Sequence, residues 1–273
     1  MRKVTQAPIG VFDSGVGGLT VTRAIVRELP CESLLYFGDT ARVPYGNKSP
    51  ATIQRYSLNI ANRLVNAGVK AIVVACNTAS AMGAVESISG SLGVEVMGVI
   101  EPVAALAASH SQAGCIGVIG TRGTVASGAY EAALRAHDPN LTIHSVACPL
   151  FVPLAEEGWR EGEVPRMVAQ SYLKAFSETQ IDTLILGCTH YPLLAGVIED
   201  VIADVTGRDV AVLDSATATA RLLKKSLKEA GTERRSEGPA EHRFWVTDSI
   251  DAFSEVSELF FGGPVGDVEH VDL

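Results

Sequence analysis

The sequence predicts an α/β fold with two pseudosymmetric domains, each a mainly parallel sheet flanked by helices, and a functional site in the cleft between them. Short apolar runs alternate with helix-length segments, which is typical of a parallel sheet with crossover helices. The 273 residues include 26 Gly and only 6% aromatic residues, which suits tight strand–helix turns. The series of runs also occurs twice in the same order, which predicts two similar halves.

The predicted elements follow in order along the chain. Eight short apolar runs predict buried strands. They span residues 9–12, 34–37, 71–75 and 94–99 in the first half, and 115–119, 142–147, 183–186 and 210–213 in the second. Helical segments at 19–29 and 52–67 lie between the first strands. The polar stretch 231–242 predicts a loop, and we expect an edge strand at 243–246 and a last helix at 250–261 after it.

Three short sequence motifs occur once in each half of the chain, in the same order. IGVFDSG, which begins at Ile9, is echoed by IGVIGTRG, which begins at Ile116. A Val-Pro pair then occurs in each half. VVACNT, which contains Cys76, is echoed by LILGCTH, which contains Cys188. The repeat therefore predicts two α/β halves that face each other across a cleft.

The C-terminal stretch has no counterpart in this repeat. We expect it to return to the first half, which makes that domain discontinuous. The predicted first domain comprises residues 1–98 plus about 208–273, and the second comprises residues 99–207.

Composition and charge exclude several classes of protein. An apolar fraction of 47% with 19% charged residues argues against disorder. The net charge of −9 disfavours nucleic acid and anionic membranes as partners. The N-terminus shows no apolar run typical of a signal peptide, and no stretch of 18 apolar residues predicts a membrane span. The five cysteines form no CxxC pair, so we expect a cytoplasmic protein with free thiols.

Polar residues follow the predicted strands at their carboxyl ends, where open parallel sheets bind ligands. In the first half these residues are Asp13, Ser14, Asp39, Cys76, Asn77 and Thr78. In the second half they are Thr121, Cys148, Glu156, Cys188, Thr189 and His190. The repeat thus places one cysteine of each half at equivalent strand ends, and facing domains would bring both thiols to one cleft.

A thiol at such a strand end lies near a helix N-terminus, where we expect its pKa to be lowered. Asn77, Thr78 and Thr189 supply hydrogen-bond donors for a carboxylate. A free cysteine often just fills a core, and we assign Cys31, Cys115 and Cys148 to that role. The repetition of Cys76 and Cys188, each followed by polar residues, indicates function instead.

Neighbouring residues refine this prediction. His190 follows Cys188 closely, which favours a role in proton handling. Ser14 is a candidate cap for the next helix. No second ligand cluster lies at a suitable spacing for a metal. The Gly-rich run after Asp13 has Thr20 where a dinucleotide fingerprint requires Gly, and GK[ST] is absent, so a nucleotide site is disfavoured.

Five motifs together resemble the cofactor-independent aspartate/glutamate racemase family, and in particular its glutamate-specific branch. They are DSGVGGLT (13–20), FGDTARVPYG (37–46), VACNTAS (74–80), EEG (156–158) and GCTHYP (187–192). The resemblance implies two pseudosymmetric α/β domains with the active site between them. It also implies interconversion of L- and D-glutamate without metal or cofactor, which supplies D-glutamate for peptidoglycan in the cell wall. Members of the family are often homodimers, so we expect that a homodimer forms.

The resemblance also implies roles for individual residues. Cys76 and Cys188 would be the two acid/base thiols, with Cys76 acting on D-glutamate and Cys188 on L-glutamate. Asp13 would assist Cys76, and His190 would assist Cys188, with Glu156 beside His190 and Asp39 nearby. The substrate-binding residues would be Asp13, Ser14, Tyr45, Gly46, Asn77, Thr78, Thr121, Thr189 and His190.

Two alternatives stay open at this point. The chain could racemise aspartate or a related acid, and contacts to the side-chain carboxylate near Tyr45 and Gly46 would distinguish the two substrates. It could also be a non-catalytic two-domain binding protein with a clamshell cleft. That class does not need a thiol at both strand ends and is usually secreted.

Overall fold

The computed structural model describes residues 2–235 and 238–273 and contains two parallel sheets flanked by helices. The strands are β1 (Ile9–Asp13), β2 (Leu34–Gly38), β3 (Ala71–Val74), β4 (Glu95–Gly98), β5 (Cys115–Gly120), β6 (Thr142–Ala147), β7 (Thr183–Gly187), β8 (Ala211–Asp214), β9 (His242–Val246) and β10 (Val268–His270). Each of the eight strands predicted in the two halves is present, and its ends differ from the prediction by at most one residue.

Helices connect the strands as crossovers. They are α1 (Arg2–Thr5), α2 (Leu19–Glu28), α3 (Pro50–Asn66), α4 (Asn77–Ala81), α5 (Ala84–Ser89), α6 (Ile100–His110), α7 (Arg122–Ala126), α8 (Ala129–His137), α9 (Phe151–Glu156), α10 (Glu163–Leu173), α11 (Ala195–Thr206), α12 (Ser215–Glu229) and α13 (Ile250–Phe261). Short 3-10 turns lie at Thr40–Arg42, Tyr45–Asn47, Lys174–Phe176 and Tyr191–Leu194. Within the described residues, no helix is both long and apolar enough to cross a membrane.

The four strands of the second sheet and the first four strands of the first sheet follow the same order, and two parallel sheets flanked by helices confirm the predicted fold class. The six-stranded sheet has the order β10-β9-β2-β1-β3-β4, and the four-stranded sheet has the order β6-β5-β7-β8. All pairings are parallel. The central strands β1, β3, β5 and β7 are buried along their whole length, because helices cover both faces of each sheet.

The C-terminal stretch adds two strands to the first sheet. The strand predicted at 243–246 is present as β9, but it pairs with β2 on one side and β10 on the other, so the expectation that it is an edge strand is wrong. The edge is β10, a three-residue strand of sequence VEH that pairs outside β9 and is too short and polar to be predicted. The predicted loop at 231–242 includes residues 236 and 237, which lie outside the described residues. Its described residues up to 241 form neither helix nor strand.

The pairing of β8 concerns the predicted border between the two domains near residue 208. The division into residues 1–98 plus about 208–273 and residues 99–207 stays a prediction. Strand β8 begins beyond residue 207, and it pairs with β7 in the second sheet.

Local sequence explains how the elements that carry the site begin. Ser49 caps α3 by accepting a hydrogen bond from the Thr52 backbone, and Pro50 occupies the first position of that helix. Thr121 caps α7 in the same way. Both helices follow segments that reach the junction of the two sheets, so their caps fix the backbone beside the site.

Candidate active site

Two cysteines follow equivalent strands of the two sheets and face one site. Cys76 comes after β3 and Cys188 directly after β7, and their exposed fractions are only 5% and 6%. Cys188 is close enough to Cys76 to raise its pKa electrostatically. The structure therefore brings the two thiols together, as the repeated strand ends predicted.

Cys76 occupies the N-cap of α4. Its Sγ accepts a hydrogen bond from the backbone of Ala79 at 3.4 Å and donates one to Ser14 Oγ at 3.6 Å. Burial and the carboxylate of Asp13 raise the pKa of Cys76 to about 12, although the hydrogen bonds with Ala79 and Ser14 act in the other direction. The expected lowering of the thiol pKa is thus wrong for Cys76, because a helix of five residues offsets little of the cost of burying a thiolate.

Asp13 ends β1, lies fully buried, and is close enough to Cys76 and His190 to interact with both electrostatically. Its Oδ2 accepts a hydrogen bond from the Gly15 backbone at 2.9 Å, whereas Oδ1 has no partner among the described residues. Burial raises the pKa of Asp13, and the charge on His190 opposes that rise. The unpaired oxygen leaves Asp13 with an acceptor for a proton or an ammonium group.

His190 links Cys188 to Glu156. Its Nδ1 lies 3.9 Å from Cys188 Sγ, and its Nε2 lies 2.9 Å from Glu156 Oε1. Burial lowers the pKa of His190, but the interactions with Cys188 and Glu156 outweigh it and raise the pKa to about 10. His190 is therefore an imidazolium at neutral pH, so the Cys188 side of the site carries a cation where the Cys76 side carries a carboxylate.

Hydrogen-bond donors converge between the halves, beside the two thiols. Thr78 Oγ1 lies 3.0 Å from Thr121 Oγ1 and 3.2 Å from Thr124 Oγ1, so these hydroxyl groups join α4 to the start of α7. Asn77 and Thr189 are 2% and 5% exposed, and Thr20 Oγ1 donates to the Thr189 carbonyl at 2.9 Å. The donors predicted for a substrate carboxylate therefore lie at the junction of the two halves.

Asp39 differs from the other acidic candidates because its carboxylate is already occupied. Tyr45 donates its hydroxyl proton to Asp39 Oδ2 at 2.5 Å, and Thr247 donates to Oδ1 at 3.0 Å. Arg42 Nε lies 3.4 Å from the same oxygen. The contacts of Asp39 hold the segment that carries Tyr45 and Gly46, and none of them reaches a thiol.

Glycines of the DSGVGG segment allow the two halves to approach closely. A Cβ atom on Gly17 would lie 2.3 Å from Thr189 Oγ1 and 2.4 Å from His190 Nδ1. Helix α2 begins only at Leu19, with Gly18 as its N-cap and no side-chain cap. Ser14 therefore does not cap α2 as expected, and it contacts Cys76 instead.

Comparisons with known proteins show the family to which the chain belongs. The family model described as Asp/Glu/Hydantoin racemase matches residues 9–223. A glutamate racemase from Geobacter metallireducens is 49% identical over 265 residues, which cover 97% of this chain and 96% of the relative. The chain belongs to the Asp/Glu/Hydantoin racemase family.

Solved structures of two relatives share the whole fold of this racemase-family member. A crystal structure of a Bacillus anthracis glutamate racemase matches with a TM-score of 0.93 and 39% identity, covering 98% of each chain. A Francisella tularensis glutamate racemase, crystallised in complex with D-glutamate, matches with a TM-score of 0.90 and 37% identity, also covering 98% of each chain. The resemblance inferred from the five motifs is thus confirmed.

The remaining three cysteines of this racemase-family member differ in burial and location. Cys115 lies in β5, and Cys31 is half-buried at the start of a loop. Cys148 is fully buried, and its Sγ donates to the Val146 carbonyl at 3.6 Å. Burial and the proximity of Cys188 raise the pKa of Cys148, so it lies near the site as a neutral thiol.

Several residues at the racemase site carry no motif and were missed. Thr124 completes the hydroxyl cluster, Tyr130 contacts Asn77, and Thr247 holds Asp39. The Phe260 ring of α13 packs edge-on against His190, with centroids 5.1 Å apart. Only the tertiary arrangement brings these residues to the site. Among the described residues, no group of three His, Cys, Asp or Glu side chains is placed to hold a metal ion.

Proposed function

We propose that this chain is a glutamate racemase that moves the α-proton of glutamate between two cysteines. The observation that carries the proposal is the pair of thiols in opposite electrostatic surroundings. Cys76 has a pKa of about 12 and lies beside Asp13, whereas Cys188 lies 3.9 Å from an imidazolium. A two-base racemase needs one thiol and one thiolate at the start of each turnover, and this asymmetry favours that mixed state.

The family resemblance assigns Cys188 to L-glutamate and Cys76 to D-glutamate, and the L-to-D direction then runs as a transfer between the two thiols. The Cys188 thiolate takes the α-proton of L-glutamate and becomes a thiol, with the His190 cation beside it. The electron pair left on the α-carbon delocalises into the α-carboxylate. Cys76, a thiol at neutral pH, delivers its proton to the opposite face and becomes a thiolate. The D-to-L direction uses the same steps in reverse.

The chain's own donors must stabilise the negative charge that develops on the α-carboxylate. We assign this task to Asn77, Thr78 and Thr189, which directly follow the two thiols in the sequence and are nearly buried. We assign the ammonium group to Ser14 and to Oδ1 of Asp13, which has no partner among the described residues. Low exposure strengthens each of these interactions relative to water.

Glutamate is favoured over aspartate by the segment that would bind the side-chain carboxylate. Tyr45 is buried and fixed by Asp39, and a Cβ atom on Gly46 would lie 3.4 Å from Thr121. We propose that the backbone N–H groups of Tyr45 and Gly46, with the Thr121 hydroxyl, bind the γ-carboxylate. The full-length relative from Geobacter metallireducens, named a glutamate racemase, supports this choice.

The physiological role follows from the activity. A glutamate racemase supplies D-glutamate for peptidoglycan, and we expect the chain to work in the cytoplasm with glutamate as its small-molecule partner. The homodimer stays a prediction, for which light scattering on the purified protein is the measurement.

The function is tested by incubating the pure, exhaustively dialysed protein with L-glutamate, D-glutamate and L-aspartate in separate reactions. Chiral chromatography should show both glutamate reactions converging on an equal mixture of enantiomers, with no added metal or pyridoxal phosphate. Aspartate should react much more slowly. Activity that appears only after a cofactor is added would overturn the two-thiol mechanism. Equal rates on aspartate would favour the sister activity.

A further inference from the structure

Tyr130 lies between the two segments that carry the thiols. It is the second residue of α8, in the second half, and its side chain is buried, with 1% of its surface exposed. Its hydroxyl donates to Oδ1 of Asn77 at 2.6 Å, and Asn77 directly follows Cys76. Its ring also packs on Gly187, which precedes Cys188, because a Cβ atom there would lie 2.9 Å from Tyr130 Cε2.

The Asn77 amide is only half satisfied within the described residues. Oδ1 accepts the Tyr130 proton, whereas Nδ2 is buried and has no partner there. A buried N–H group without a partner is costly, so native structures rarely keep one without a reason. Since Asn77 lies among the carboxylate donors, an anionic ligand is the acceptor that Nδ2 lacks.

The hydroxyl of Tyr130 determines which way the Asn77 amide faces. Burial raises the pKa of Tyr130, so the hydroxyl keeps its proton and needs an acceptor. A 180° flip of the amide would remove that acceptor and would turn Oδ1 toward the substrate carboxylate. Both changes are unfavourable. The first leaves the buried Tyr130 O–H without an acceptor, and the second places Asn77 Oδ1 against a carboxylate oxygen, with no proton between the two acceptors.

We propose that Tyr130 is a positioning residue for the reaction, which holds Asn77 with Nδ2 aimed at the α-carboxylate of the substrate. The proposal rests on the glutamate racemase function above. The contact joins α8 of the second half to α4 of the first. The donor on one half is therefore oriented by a hydroxyl from the other.

The first test compares Tyr130→Phe with Tyr191→Phe. Both changes remove one hydroxyl from a buried tyrosine and keep the ring, and Tyr191 donates to the Cys148 carbonyl at 2.8 Å. Tyr130→Phe should lower kcat/KM for glutamate about tenfold, the range of one hydrogen bond. Most of the loss should appear in kcat, because charge on the α-carboxylate grows in the transition state. Tyr191→Phe should change kcat/KM less than twofold. The two variants should lose a similar amount of Tm, because each loses one buried hydrogen bond.

The second test is a double-mutant cycle with Asn77→Ala. If Tyr130 acts through Asn77, then Tyr130→Phe should have less than a twofold effect on kcat/KM in the Asn77→Ala background. Calorimetric binding of glutamate gives the same cycle if turnover is too slow. Equal losses in Tyr130→Phe and Tyr191→Phe, or a full tenfold loss that persists without Asn77, would overturn the proposal. A wild-type protein that does not racemise glutamate would instead overturn the proposed function.

Discussion

At the scale of single residues, the proposed mechanism assigns the two thiols to opposite faces of the substrate, and this assignment predicts different partial reactions. A substrate with a good β-leaving group needs only one proton abstraction for elimination. Cys188→Ser should eliminate only from the D enantiomer, and Cys76→Ser only from the L enantiomer, while both lose racemisation. The measurement is the keto-acid product from each enantiomer. Equal loss with both enantiomers in both variants would contradict the two-base assignment, and the reverse pattern would exchange the faces.

Glu156 predicts a change in pH dependence. Burial lowers the pKa of His190, and the contacts with Cys188 and Glu156 raise it to about 10. Glu156→Gln removes one carboxylate partner, so the pKa should fall and the alkaline limb of kcat/KM should move to lower pH. Activity should drop severalfold at pH 9 and little at pH 7.

Glu157→Gln is the matched control, because Glu157 is the next residue and is exposed.

The dependence of stability on pH gives an independent measurement of the His190–Glu156 contact. A histidine whose pKa is raised by folding stabilises the protein fully below its unfolded pKa of about 6.5, and that contribution disappears as pH rises through about 10. Glu156→Gln should therefore lower Tm more at pH 6 than at pH 10.5. Superimposable pH profiles for the two variants would contradict the assigned link.

At the scale of elements, the turn after β9 supports the segment assigned to the γ-carboxylate. Thr247 Oγ1 donates to Asp39 at 3.0 Å and accepts from the Ala41 backbone at 3.0 Å. Thr247→Val removes both bonds, so the 3-10 turn Tyr45–Asn47 should lose its fixed position. We expect KM for glutamate to rise about three- to tenfold, with kcat nearly unchanged, because the loss concerns binding rather than proton transfer.

Thr206→Val provides the control for this change. The Thr206 hydroxyl donates to the Ile202 carbonyl at 2.7 Å and lies 3.5 Å from the Arg208 carbonyl, and its hydrogen bonds among the described residues do not involve Asp39. Steady-state kinetics of both variants give the comparison. An equal rise in KM in both variants would show that the turn after β9 does not support the segment assigned to the γ-carboxylate.

At the scale of the whole molecule, the two halves meet without a gap at Gly17. A methyl group there would overlap Thr189 and His190, the residues that follow Cys188. Gly17→Ala should therefore push the halves apart, destabilise the protein by about 1–3 kcal/mol and lower kcat strongly. Gly196→Ala is the control, because a Cβ atom at this helical position of α11 meets nothing within 4 Å. Denaturant unfolding and racemisation rates measure both effects, and equal behaviour of the two variants would contradict the close approach.

The same scale explains what the sequence predicted well. Parallel strands buried on both faces are continuous apolar runs, so the eight strands of the repeat could be located to within one residue. The thiols could be paired because the motif around Cys76 recurs around Cys188. The five motifs also supplied the family, and with it the remaining candidate residues.

Features that depend on packing across the chain were not predictable from the sequence. Tyr130 and Phe260 carry no motif, and their contacts with Asn77 and His190 exist only after the halves assemble. Proximity to a helix N-terminus predicted the wrong direction for the pKa of Cys76, since the degree of burial was unknown. The strand order at β9 was also missed, because β10 is too short to be recognised.

The edge-on contact between Phe260 and His190 can form only late in the synthesis of the chain. Synthesis runs from the N-terminus, so both thiol-bearing strand ends leave the ribosome before α13 exists. A nascent chain that stops short of α13 contains Cys76 and Cys188, but it lacks the ring that covers the histidine beside the second thiol. The surroundings of His190 are therefore completed only after translation has passed Phe260.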